Sequence, residues 1–164
     1  EQQIQTEFGE FRLVCYEDHV TRNVHLVLIR GDLSRPEPPL VRVHVQDTLG
    51  DVVGVQSPEL GWPLREAMRQ IAATGHGIVV LLRYGESPRE LMSAVKSLVR
   101  PENAERPAPA GGAVLRSYGI GAQILREVGV GRMRLMSSPR KMPSMAGFGL
   151  EITGYFTPTG EKTA

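Results

Sequence analysis

The sequence has one cysteine, Cys15, in 164 residues. A lone thiol cannot close an internal disulfide, and a cysteine-rich zinc site is excluded with it. A reducing, cytoplasmic setting fits this scarcity. Excess charge is also missing. Nineteen Lys and Arg stand against eighteen Asp and Glu, a net charge of +1. No overall field is therefore present to gather nucleic acid or an anionic membrane, and any anion has to be held by a local cluster. Apolar runs such as "GIVVLL" at 77–82 fall far short of the roughly 20 residues that a membrane helix needs, and no signal-peptide pattern opens the chain. The first residue is Glu1, which reads as a domain cut from a longer chain. His19, His25 and His76 share no ligand spacing with one another or with an acidic residue, so none reads as a metal ligand. "GIG" at 119–121 lacks the full dinucleotide fingerprint. No internal repeat is visible.

What is present suits one domain spanning 1–164, long enough to bury roughly two thirds of its unfolded surface. "FGEFRLVCYED" from Phe8 alternates, with Phe11, Leu13 and Cys15 on one side, the period of a half-buried strand; Cys15 reads there as a small core residue. "HLVLIRGD" at 25–32, "LVRVHV" at 40–45 and "IVVLLR" at 78–83 are more continuously apolar, as strands covered on both faces are. Between the last two, "PLREAMRQIAATG" sets Leu64, Ala67, Met68, Ile71 and Ala72 at helical spacing, with Pro63 at its start and Gly75 at its stop. Ser87, Pro88 and Glu90 form a capping box for a second helix, whose inward face is expected through Leu91, Val95, Leu98 and Val99. Residues 100–113 are rich in Pro, Ala and Gly and read as a flexible connection. A third helix over "RSYGIGAQILREVG" turns Ile120, Ile124, Leu125 and Val128 inward. Short strands at 132–136 and 150–156 follow. This alternation predicts an α/β fold with a largely parallel or mixed sheet flanked by helices.

Three stretches together carry a resemblance: "TEFGEFRL", "RVHVQDTLGDVVG", and "RSYGIGAQILREVGVGRMRLM" with the "PRK" that follows. They resemble the GTP cyclohydrolase II family of riboflavin biosynthesis, zinc enzymes that open the guanine ring and release formate. The family pattern runs Arg-Val-His-Ser-Glu-Cys, Gly-Asp, then Arg-Cys-Asp-Cys-Gly, its three cysteines holding zinc. This chain keeps Arg42, Val43, His44, Gly50, Asp51, Gly54 and Gly61, but has Asp47, Pro58 and Leu60 at the three cysteine positions. Proline and leucine side chains offer a metal nothing, and one carboxylate is not a zinc shell. The resemblance thus implies a degenerate member in which zinc is not expected, and with it the metal-activated water is lost.

Other family positions have changed as well. The Gln-Glu-Gly-Arg segment corresponds to Tyr84, Gly85, Glu86 and Ser87, the catalytic tyrosine falls at about Leu98, and an acidic position is Val114. Arg116 and Lys141 are retained catalytic positions, and Arg42 with His44 is a remnant of the substrate-binding strand end. The bland alternatives are surface ion pairs for Arg116 and Lys141, a structural hydrogen bond or interface for Arg42 and His44, and backbone capping for Asp47 and Asp51. Asp47 and Asp51 read better as caps than as Mg2+ ligands.

The resemblance is closest to the carboxy-terminal domain of fused 3,4-dihydroxy-2-butanone 4-phosphate synthase / GTP cyclohydrolase II proteins. It implies a homodimer whose domain supports or regulates the synthase half, with any Mg2+ belonging to that half. One alternative is a module in which Arg42, His44, Arg116 and Lys141 converge on a nucleotide or flavin effector. A less favoured one is an enzyme that still hydrolyses GTP.

Overall fold

The computed structural model describes residues 1–56, 62–99, 111–137, 145–157 and 160–163. Its centre is the set of continuously apolar strands: β3 (Val24–Arg30), β4 (Leu40–Val45) and β5 (Gly77–Leu82). A strand with apolar side chains on both faces is stable only if both faces are covered. Helix α3 (Gly111–Glu127) covers one, where Ala122, Ile124 and Leu125 pack with Val27, Val41, Ile78 and Val80. Helix α1 (Leu64–Thr74) covers the other, where Ala67 and Ile71 meet Phe11, Leu28, Leu40 and Val79. Ile71 has no exposed surface, and burying a side chain of this size contributes about 1.5–3 kcal/mol.

Outward from these strands lie β2 (Gly9–Glu17) and the edge strand β1 (Gln2–Thr6) on one side. On the other lie β6 (Arg132–Leu135), β7 (Glu151–Thr157) and β8 (Gly160–Thr163). The eight strands run in the order β1-β2-β3-β5-β4-β6-β7-β8. The sheet is mixed. β4 pairs in parallel with β5 and β6, and β6 with β7, whereas the outer pairings and β3 with β5 are antiparallel. The α/β class expected from the alternation of elements is therefore the observed one.

Three expectations change. Cys15 is exposed rather than a core residue. It lies two residues past Leu13, the last residue on that side of β2 to pack into the α1 cluster. Helix α2 (Pro88–Val99) forms with its capping box: Ser87 N and Oγ both donate to Glu90, and Glu90 N donates to Ser87 Oγ. Its predicted inward face turns in only in part, however, among the described side chains. Leu91 is half-buried, while Val95 and Leu98 are 41% and 42% exposed. Amphipathic spacing marks a face without fixing its direction. Finally, α3 starts at Gly111, so residues 111–113 are helical rather than part of the connection. The remainder of that stretch, 100–110, lies outside the described residues. Among the described residues, no helix is long and apolar enough to cross a membrane.

Candidate functional site

β4 is flanked by two parallel neighbours, β5 and β6, and the carboxyl end of such strands is where open α/β sheets gather ligand-binding groups. Strand periodicity puts Leu40, Arg42 and His44 on the face covered by α1. Arg42 donates from one terminal nitrogen to the Met136 carbonyl at 3.1 Å and from the other to the Trp62 carbonyl at 3.0 Å. It thereby ties β4 to the end of β6 and to the chain entering α1. Its second terminal nitrogen also lies 3.4 Å from His44 Nδ1. A guanidinium can only donate, so Nδ1 is the acceptor and Nε2 carries the hydrogen. That Nε2 is 2.9 Å from each oxygen of Asp51. His44 and Asp51 side chains are 7% and 9% exposed, so the pair is withdrawn from solvent.

Asp51 belongs to a short π-helical turn, Thr48–Val53, that follows β4. The turn ends at Gly54 with φ 78°, a left-handed conformation that glycine adopts without a side-chain clash. Besides His44, the Asp51 carboxylate accepts the Asp47 amide at 2.9 Å. Burial pushes its pKa up, but the His44 ring and the Asp47 and Leu64 amides outweigh that, and the net shift is below the ordinary carboxylate value. Asp47 is the N-cap of the turn. One of its oxygens accepts the Leu49 amide at 3.3 Å and the other the Gly50 amide at 3.0 Å.

The capping role expected for Asp47 and Asp51 and the structural hydrogen bonding expected for Arg42 and His44 are thus visible. The direct His44–Asp51 pairing was not foreseen. A histidine and an aspartate seven residues apart share no recognisable spacing, and they meet only because the chain reverses through a π-turn. The proposed convergence of Arg42 and His44 on Arg116 and Lys141 is not described. The Arg116 side chain and Lys141 lie outside the described residues, as do Pro58 and Leu60.

Zinc does not suit this donor set. Both oxygens of Asp47 cap backbone amides, His44 Nε2 is engaged by Asp51, and positions 58 and 60 have no side-chain donor atom. Among the described residues, no group of three His, Cys, Asp or Glu is placed to hold a metal. His25 and His76 are buried apart. Burial lowers the pKa of each, and the nearby Arg35 adds to the effect at His76.

The ends of β4 and β5 also border an open cleft of about 650 Å³, with Arg22, Gln46, Thr48, Arg83, Tyr84 and Glu86 around it. Its polar groups bond to one another. Arg83 Nε donates to Gln46 Oε1 at 3.3 Å, and Thr48 Oγ1 to the Glu86 carboxylate. His25 Nδ1 accepts the Arg83 amide at 3.1 Å, and its ring meets Tyr84 edge-on at 5.4 Å.

A family profile described as GTP cyclohydrolase II matches residues 1–157. The chain is 39% identical over 155 residues to a 3,4-dihydroxy-2-butanone 4-phosphate synthase of Pseudomonas aeruginosa, covering 94% of this chain and 41% of that protein. It is 37% identical over 155 residues to the riboflavin biosynthesis protein RibBA of Bacillus subtilis, covering 90% of this chain and 39% of that one. Among solved structures it is similar to RibBX, a two-domain 3,4-dihydroxy-2-butanone 4-phosphate synthase from A. baumannii, with a TM-score of 0.64 and 25% identity over 92% of this chain and 37% of the other. The chain therefore spans about two fifths of the length of these relatives.

Proposed function

Because the chain belongs to the GTP cyclohydrolase II family, we propose that it is a degenerate member serving riboflavin biosynthesis as a supporting domain of a 3,4-dihydroxy-2-butanone 4-phosphate synthase, not as a zinc enzyme. One observation carries this reading. Both oxygens of Asp47, which in this reading stands at the family's first zinc-cysteine position, are bound by amides of its own turn. A carboxylate so engaged is oriented by its own turn, and a single carboxylate is not a zinc shell. The neighbouring Arg42, His44 and Asp51 complete one another, so the strand end that would position a substrate is a set of structural bonds.

A fold survives such changes because its core positions are independent of its site, and the two clusters around α1 and α3 are intact here. The relatives support the choice of partner. The synthase name recurs among them, and the similar solved structure has two domains. In this reading the domain holds the synthase half in a stable, dimeric form, and any Mg2+ belongs to that half.

The test is to assay the parent protein with and without this domain, following turnover of ribulose 5-phosphate with Mg2+ and the thermal midpoint of the synthase. Removal is expected to lower activity, stability or both. A synthase that keeps both unchanged contradicts the proposal.

A further inference from the structure

We infer that two aspartates acting in series fasten the turn that follows β4 without a metal: Asp47 holds its first amides, and Asp51 clamps it to the strand. A metal would order such a turn by binding side chains from several positions at once. Here the same ordering comes from carboxylate-to-amide bonds. Asp51 accepts the Asp47 amide at 2.9 Å, and Asp47 in turn accepts the Leu49 and Gly50 amides. The chain of bonds begins on β4, where His44 Nε2 donates to Asp51. Two backbone bonds of 2.9 Å close the turn, Asp51 N to the Asp47 carbonyl and Val55 N to the Leu49 carbonyl.

The turn is anchored below as well, since Leu49 is buried at 9% exposure while Val52 and Val53 above it are open to solvent. An aspartate at the first position is suited to this task, because it is among the best N-caps and a cysteine is not. This inference rests on the geometry of the turn alone and neither needs nor tests the synthase reading.

Amide hydrogen exchange on the whole chain, read at Asp47, Leu49 and Gly50, tests it without reference to any activity. Protection at these amides is expected to be the same with a chelator and with one equivalent of Zn2+. Asp47→Ala is expected to speed exchange at Leu49 and Gly50 by roughly fivefold, the change that corresponds to one lost cap. Asp47→Asn, which still caps, is expected to leave it near the native rate. Asp47→Cys should behave like Asp47→Ala and gain nothing from Zn2+. Faster exchange with chelator, recovery of Asp47→Cys by Zn2+, or native protection in Asp47→Ala would each overturn the inference. If Asp47→Ala does not fold, the Asn and Cys variants give the decision, because Asn must retain protection that Cys loses.

Discussion

Replacing Asp51 by alanine removes the acceptor shared by His44 Nε2 and the Asp47 amide, at a side chain only 9% exposed. Losing a buried acceptor that serves two donors costs about 3–5 kcal/mol, because each unsatisfied buried donor left behind costs about 1–3 kcal/mol. In a domain of this length that corresponds to a fall in thermal midpoint of about 6–20 °C. Asp51→Asn keeps the shape and one acceptor oxygen, and should cost about 1.5–3 kcal/mol, the range for a hydrogen bond to a charged group. Equilibrium unfolding in urea, followed by circular dichroism at pH 7, measures both. His44→Ala and the double variant complete a cycle whose coupling energy is expected between about 0.5 and 3 kcal/mol. A loss below about 1 kcal/mol for Asp51→Ala, the level of an exposed ion pair, would refute the view that this network is structural.

His25 and His76 are buried with pKa values lowered by desolvation, so the unfolded chain binds more protons than the folded one just below the ordinary histidine range near pH 6.5. Their contribution is complete above that range and is lost as pH falls towards the folded values; urea midpoints at pH 7.5, 6.5 and 5.5 should decline in that order, and less steeply in His25→Gln. Gly77 lies where β5 meets both β4 and α1, and an added Cβ would sit 2.6 Å from the Leu40 carbonyl oxygen and 3.0 Å from Ile71 carbons. Gly77→Ala should therefore destabilise by about 1–3 kcal/mol in the same assay, and a neutral result would contradict the close packing. Cys15, being exposed, should react completely with a thiol reagent in the native chain without denaturant.

The parts of the fold legible in the sequence are those with an apolar face packed on protein. β3, β4 and β5 declare themselves by unbroken apolar runs, and α1 and α3 by spacings whose predicted residues do pack on the sheet. β1 escaped notice because Gln2-Gln3-Ile4-Gln5-Thr6 is an edge strand with only Ile4 packed inward. Helix α2 was legible as a helix from its cap, but the direction of its apolar stripe depends on how it docks, which no local pattern encodes. At the site, residue identities pointed to Arg42, His44, Asp47 and Asp51. Their bonds did not follow from spacing. Arg42 reaches a carbonyl 94 residues away, and His44 finds Asp51 only through the π-turn.

The most direct test of the account is GTP turnover by the purified chain with Zn2+ and Mg2+ supplied, read by mass spectrometry for formate loss and ring opening beside an intact GTP cyclohydrolase II. The account predicts no product above background while the control turns over. Formate and a ring-opened product from this chain would contradict it, and would mean that the bonds around Asp47 and His44 give way to a working site.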